Sequence, residues 1–344
     1  MSADAWKRTV TTTAGGVGAY FLYRWAMRRK RTFSFRDRVV VITGGSRGLG
    51  LVMARQFAAE GARLAICARE EDELSRAADE LRSYNVQVAA VECDIARPEH
   101  CRRFFATVRD ELGPVDVLIN NAGIMQVGPL ASMTRDDYEQ AMDVHFWAVR
   151  AAVDEVRPDM RRRGRGRIVN ISSIGGQIAI PHMVPYCASK FALVGYSDGL
   201  RAELMQEGVY VTTVCPGMMR TGSPRNAFFK GQHRSEFAWF SIGAAIPVLS
   251  QSAERAARQI IQSCRVGRAK ITLSMPAKLA VLANTLAPEL TADLLGLAGW
   301  LLPSPGGVGT SSVAGRDSGS LLSPSVLTTL NDQAAARNNE MGSS

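Results

Sequence analysis

Residues 38–60, RVVVITGGSRGLGLVMARQFAAE, read as a strand, a glycine turn and a helix in immediate succession. The β-branched run VVVIT suits a strand buried on both faces, and LVMARQFAAE has helical spacing that stops at Gly61. Between them, TGGSRGLG supplies Gly44, Gly48 and Gly50 together with Ser46, Arg47 and Leu49. A glycine-rich turn in this position lets backbone approach a pyrophosphate, whose charge is held by free N–H groups and the helix dipole. The flanking strand and helix are what give the glycine pattern its meaning.

The same alternation continues outward. Residues 63–68, RLAICA, form a second strand ending at Arg69, and a polar helix runs from about Glu70 to Ser83. The strand VQVAAVE then delivers Cys93, Asp94 and Ile95 to a turn, where Asp94 can meet an adenine amino group, cap the helix near Pro98, or do both. VDVLIN ends in NNAG, so Asn121, Ala122 and Gly123 offer small residues for close approach to a cofactor. A helix is expected from Thr134 to about Arg157, and strands at RIVNISS, YVTTVCPG and AKITLS. Strands alternating with helices predict an α/β fold, a doubly wound parallel sheet of Rossmann type with helices on both faces and ligands at the carboxyl ends of its strands. A carboxylate at the end of the second strand suits a ribose 2′-hydroxyl, whereas arginine suits a 2′-phosphate. Arg69 and Arg47 therefore favour NADP(H) over NAD, the alternative being two solvated surface arginines.

Downstream, PYCASKFALVGYSDGL places Tyr186 and Lys190 four residues apart, on one face if helical, with Ser173 13 residues before the tyrosine. A cation beside a phenol favours the tyrosinate and lowers a pKa that is ordinarily near ~10. Ser173 can aim a hydroxyl at the same substrate oxygen. Tyr and Lys at this spacing also occur by chance in ordinary helices, so the pair takes its weight from the rest of the chain.

Together, TGGSRGLG at 43–50, NNAG at 120–123, Ser173 in NISS, YCASK at 186–190 and PGMMRT at 216–221 resemble the short-chain dehydrogenases/reductases, in the compact branch with T-G-x-x-x-G-x-G spacing, over about Phe35 to Leu273. The resemblance implies that Tyr186 is the general acid in carbonyl reduction or the base in alcohol oxidation. It also implies that Ser173 binds the reacting oxygen and that Lys190 holds the nicotinamide ribose while depressing the tyrosine pKa. Pro216, Gly217, Met219 and Thr221 would secure the nicotinamide carboxamide. One departure stands out: His145 occupies a position where many members carry asparagine. It either joins the proton relay, titrating near neutral pH, or is a packed histidine. A non-catalytic NADP(H)-binding scaffold or redox sensor is the alternative to turnover. The intact Ser173, Tyr186 and Lys190 weigh against it.

The 344 residues, 46% hydrophobic and 21% charged, can hold one large domain with tails. Six scattered cysteines without C-x-x-C spacing or a neighbouring histidine argue against a disulfide framework or zinc site, and no metal site is expected. The net charge of +9 comes largely from RRKR at 28–31 and RRRGRGR at 161–167, the latter expected as a solvated turn. With no recognition motif beside the charge, no nucleic-acid partner is expected. Residues 1–34 form an apolar and basic extension. Its stretch 9–27 is a candidate membrane anchor or docking helix that would leave the following domain cytoplasmic. The catalytic domain is expected over 35–275, an apolar helical extension over 276–302, and a flexible linker with a terminal helix over 303–344. The aromatic segment after Thr221 points to a small apolar carbonyl or alcohol substrate, although a core or dimer contact accounts for it equally well. The family analogy adds a homo-oligomer.

Overall fold

A computed structural model describes Ala26, Arg29 and residues 31–246, 248–320 and 329–341 of the chain. The candidate anchor at 9–27 lies almost wholly outside these residues. Among those described, no helix is long and apolar enough to cross a membrane.

The first strand, β1 (Val39–Thr43), is buried at all five positions, as its β-branched run requires. It is followed by α1 (Gly48–Ala59), β2 (Arg63–Ala68), α2 (Glu71–Arg82), β3 (Val88–Glu92), α3 (Pro98–Leu112) and β4 (Val117–Asn120). The second half contains α4 (Arg135–Met142), α5 (Ala148–Arg162), β5 (Gly166–Ile171), α6 (Val184–Leu204), β6 (Val209–Cys215), α7 (His233–Ala245), α8 (Ala253–Arg265) and β7 (Lys270–Thr272). The seven strands form one sheet in the order β7-β6-β5-β4-β1-β2-β3, every neighbouring pair parallel. The strand order therefore reverses between β1 and β4, where a doubly wound sheet opens a crevice at its carboxyl ends.

Two hydrophobic layers cover the sheet. One packs Leu51, Phe57, Leu74, Leu81, Ile260 and Ile261 of α1, α2 and α8 against Ile42, Ile66 and Val214. The other packs Phe104, Phe105, Val108, Val153 and Val156 of α3 and α5 against Val41, Leu118 and Ile168. Each fully buried side chain of this size stabilises the fold by roughly 1.5–3 kcal/mol through water removed from its surface.

Three expectations are corrected. The helix from Thr134 to Arg157 is two helices joined by a π-helical turn at Asp143–Trp147, and α5 runs through Pro158 as far as Arg162. The extra residue of the π turn shifts the helical phase there, and His145 within it is buried. The RRRGRGR segment is not uniformly solvated. Arg167 is buried, donating to the carbonyls of Cys264 and Arg31, and Arg163 reaches Asp116 at 2.7 Å. These arginines help satisfy backbone carbonyls and the buried Asp116 carboxylate, which also accepts from the Val39 amide. Finally, the linker contains a short strand, Val313–Ala314, paired antiparallel with Phe228–Phe229.

After β7, α9 (Met275–Leu286) and α10 (Pro288–Trp300) form a helical pair that exposes Leu279, Leu286, Leu290, Leu294, Leu297 and Trp300. The terminal helix α11 (Thr329–Arg337) packs on α7.

Candidate active site

A cleft of about 670 Å³ opens at the carboxyl ends of the strands. Its floor begins with the turn after β1, where Gly44 and Gly48 take φ of 65° and 54°, a left-handed backbone that favours glycine. Gly50 packs beneath the turn: a Cβ there would lie 2.7 Å from Asn121 Nδ2 and closer still to the Gly44 carbonyl. Asn121 donates from Nδ2 to the carbonyls of Thr43 and Gly44, at 3.1 and 3.0 Å. Thr43 Oγ1 returns the link, accepting from the Asn121 and Ala122 amides at 3.0 and 3.1 Å. The ends of β1 and β4 are thus tied together by side chains, and the turn's shape is fixed before any ligand arrives.

All the expected cofactor residues except Gly50 line this cleft: Gly44, Ser46, Arg47, Gly48 and Leu49 in the turn, then Arg69, Asp94 and Ile95 beyond β2 and β3. Asn121, Ala122 and Gly123 follow β4, and Pro216, Gly217, Met219 and Thr221 follow β6. The N-terminus of α1 has no side-chain cap, which leaves it suited to an anion. Arg47 pairs with Glu73 through both carboxylate oxygens, at 2.9 and 3.1 Å, whereas Arg69 is exposed. Asp94 accepts from the Ala96 amide at 3.2 Å, stabilising the turn that leads to α3. This arrangement of close-approach glycines, a helix terminus without a side-chain cap and two arginines fits a phosphorylated dinucleotide.

Ser173 leaves the end of β5, while Tyr186 and Lys190 project from the first turns of α6 into the same cleft. The Lys190 Nζ lies 5.6 Å from the centre of the Tyr186 ring and donates to the Ile171 carbonyl at 3.0 Å. Gly175 is the spacer in this group, since a Cβ there would stand 3.2 Å from Tyr186 Cε1 and 3.4 Å from Ser173 Oγ. Burial pushes the phenol up to about 12, with the Ser173 hydroxyl pulling the other way. Burial also pulls Lys190 down to about 7. The expected depression of the tyrosine pKa is therefore absent in the protein alone: desolvation of the tyrosinate outweighs the hydrogen bond from Ser173.

His145 is fully enclosed. Its Nε2 accepts from the Ile124 amide at 3.2 Å, so the ring proton belongs on Nδ1, which donates to Ser189 Oγ at 2.8 Å. Ser189 in turn donates to the Tyr186 carbonyl at 2.8 Å. Burial and then the charge of Lys190 hold the imidazole well below its ordinary 6.5, in contrast to the titration near neutral pH entertained from the sequence. A second buried chain runs from Asn120 to Asn170 to Ser197, each link 2.8 Å, and binds β4, β5 and α6 together.

The opposite wall comes from the chain after Thr221. Phe228, Trp239 and Phe240 face the cleft, while Phe229 and Phe237 are core residues stacked edge to face. Trp239 is fixed by its indole N–H, which donates to buried Glu236 at 2.7 Å, and Glu236 also holds His182 at 2.8 Å. Met125, Ile180 and Met183 complete an apolar face beside Tyr186. Sequence reasoning missed three contributions. Thr43 was legible as the first residue of its motif, and Gly175 as part of the pair after NISS. The third, Glu340, lines the cleft from the far end of the chain and carries no local signal.

The short chain dehydrogenase family profile matches residues 38–229. The cattle protein named dehydrogenase/reductase SDR family member 7B is 33% identical over 294 residues, covering 82% of this chain and 89% of that protein. A protein of Streptomyces violaceoruber named as a ketoacyl reductase of the granaticin polyketide synthase is 38% identical over 185 residues, covering 53% of this chain and 68% of its own length. Among solved structures, L-sorbose reductase of Gluconobacter frateurii, complexed with NADPH and L-sorbose, has a TM-score of 0.63 at 26% identity and covers 70% of this chain and 97% of that one. Profile, relatives and the reversed strand order agree: the chain belongs to the short-chain dehydrogenases, and is an oxidoreductase of that family.

Proposed function

We propose that the protein is an NADP(H)-dependent oxidoreductase acting on the carbonyl or alcohol group of an apolar substrate, with Ser173, Tyr186 and Lys190 carrying the chemistry. The observation that carries this reading is the convergence of Ser173, Tyr186 and Lys190 in one cleft with the glycine turn and a wall of Trp239, Phe240, Met125 and Met183. Arg69 and, once released from Glu73, Arg47 would meet the 2′-phosphate. The NADPH carried by the sorbose reductase, and the reductase names of two relatives, support the same direction.

When bound, the reduced nicotinamide supplies hydride to the substrate carbon. Ser173 donates a hydrogen bond to the carbonyl oxygen and fixes its position. Tyr186, whose phenol is protonated at neutral pH, donates the proton that completes the alcohol. The resulting tyrosinate is stabilised by Lys190, whose charged form that negative oxygen favours. His145 acts from behind these groups as a positioning residue: neutral and bonded at both nitrogens, it ties the loop after β4, which carries Gly123 and Ile124, to the helix carrying Tyr186. The apolar wall excludes water from the reacting atoms and sets substrate preference.

The test is loss of NADPH absorbance with a panel of apolar ketones and aldehydes, set against polar sugars such as sorbose. Turnover of the apolar members is the expected result. Tight NADPH binding with no turnover across the panel would favour the scaffold reading, and preference for sugars would overturn the assignment of the apolar wall.

A further inference from the structure

Near its last described residues the chain reaches the cleft, which Glu340 lines. Helix α11 seats Ala334 and Ala335 against the body of the protein, and the chain then leaves the helix at Asn338. Three successive residues engage the groups expected to receive the cofactor. The Gly48 amide, at the start of α1, donates to the Asn338 carbonyl at 2.9 Å. Asn339, at φ of 58°, donates from its side chain to the Ser46 and Glu73 carbonyls, both at 2.9 Å. Glu340 accepts from the Gly222 amide at 2.6 Å, and its carboxylate lies so near the glycine turn that a Cβ on Gly48 would be 3.1 Å away. Arg55 and Arg76 hold Asn338 and Asn339 from outside, at 2.9 and 3.0 Å.

We propose that the cleft has two mutually exclusive ligands, a dinucleotide phosphate and the chain's own C-terminal carboxylate segment Asn338–Glu340, so that the tail competes with the cofactor. The inference rests on the reading that this cleft takes NADP(H). Its physical basis is that one set of donors cannot serve both. The glycine turn and the start of α1 form an anion site, the Gly222 amide follows Thr221 on its far side, and a buried carboxylate now spans the two. A phosphate drawn to the first N–H groups of α1 would meet the Asn338 carbonyl and the Glu340 carboxylate, both of which repel it.

The seat is also built to release. Among the described residues, Ser241 Oγ, Asn331 Oδ1 and Asn338 Nδ2 are buried along the tail without hydrogen-bond partners. Each such atom offsets part of what docking gains, and undocking returns it to water. Burial raises Glu340 to about 7, opposed by the Gly222 amide, Arg47 and Asn226 and reinforced by Glu73, so the docked carboxylate is itself held against its preference for water.

Apparent cofactor affinity in such a system is the intrinsic affinity scaled by the fraction of chains with the cleft open. Removing residues 338–344 should therefore tighten NADPH binding, by about tenfold or more if roughly nine chains in ten have the tail docked. Intrinsic fluorescence or calorimetry reads the dissociation constant without turnover, and Glu340→Lys in the full chain should shift it in the same direction. Hydrogen exchange on the intact protein supplies an independent measure: saturating NADPH should accelerate exchange across 329–341. Unchanged or weaker binding by the truncated chain, or a tail that stays protected with NADPH bound, would overturn the proposal and make the segment a wall of the cofactor site. If neither chain binds NADPH, the cofactor reading itself fails, an outcome distinguishable from equal binding by both.

Discussion

The two sides of the cleft are built by different means. On the sheet side, the functional groups sit at the ends of β1, β4, β5 and β6 and on α6, tied by short buried links such as Thr43 to Asn121 and Asn120 to Asn170 to Ser197. On the other side, the chain after Thr221 contributes aromatic faces, and the tail contributes one carboxylate from more than a hundred residues away. The sheet side tolerates no added atom at Gly50 or Gly175 without displacing neighbours, whereas the tail's seat leaves three buried polar atoms unpartnered. The difference teaches a division of labour: the rigid side fixes where the reacting atoms go, and the looser side selects what may reach them.

The largest effect should follow an attack on the rigid side. Gly50→Ala drives a methyl into Asn121 and the Gly44 carbonyl, and should weaken NADPH binding by about a hundredfold or unfold α1 from the sheet. Calorimetry and thermal melting distinguish those results, and near-parental values in both would break the contrast. On the selecting side, Trp239→Ala should raise KM for large apolar substrates by roughly tenfold while changing kcat far less, since about 1–3 kcal/mol of apolar contact is lost from binding alone. A collapse of kcat instead would move Trp239 to the rigid group.

The tail gives a pH-dependent way to sharpen the comparison. Docking raises the Glu340 pKa from 4.5 to about 7, so the docked state takes up a proton. That contribution to docking is complete below 4.5 and is lost as pH rises through about 7. The groups facing Glu340 are Arg47, Glu73, Asn226 and the Gly222 amide, and of these only Arg47 and Glu73 carry charge. The affinity gap for NADPH between full-length and truncated protein should therefore be widest near pH 5 and narrow above pH 7. A gap that widens with pH would show the ionised carboxylate to be the stronger competitor. The smallest effect is assigned to His145→Asn: because the buried imidazole is neutral throughout the working range, the pH–rate profile should keep its inflections even if kcat falls.

What could be read from the sequence follows the same division. The sheet was legible because VVVIT, TGGSRGLG, NNAG and YCASK each encode a local shape, and their order alone implies a parallel sheet with a crevice. Four features were not. The π turn at Asp143–Trp147 inserts a residue's worth of phase that no periodicity announces, and the burial of Arg167 depends on carbonyls from residues 31 and 264. The Tyr186 pKa moved opposite to expectation because adjacency in sequence conveys the lysine but not the desolvation. Glu340 was invisible because its partners, Gly48 and Gly222, are distant in the chain and contribute only backbone.

The central claim is that the Tyr186 hydroxyl delivers the proton. It is tested most directly by comparing Tyr186→Phe with the parent on an apolar ketone that the parent reduces, at saturating NADPH. The account predicts a fall in kcat of about 10²–10⁴, the range for removing a general acid, with NADPH affinity unchanged. Cofactor consumption at the parental rate would contradict it.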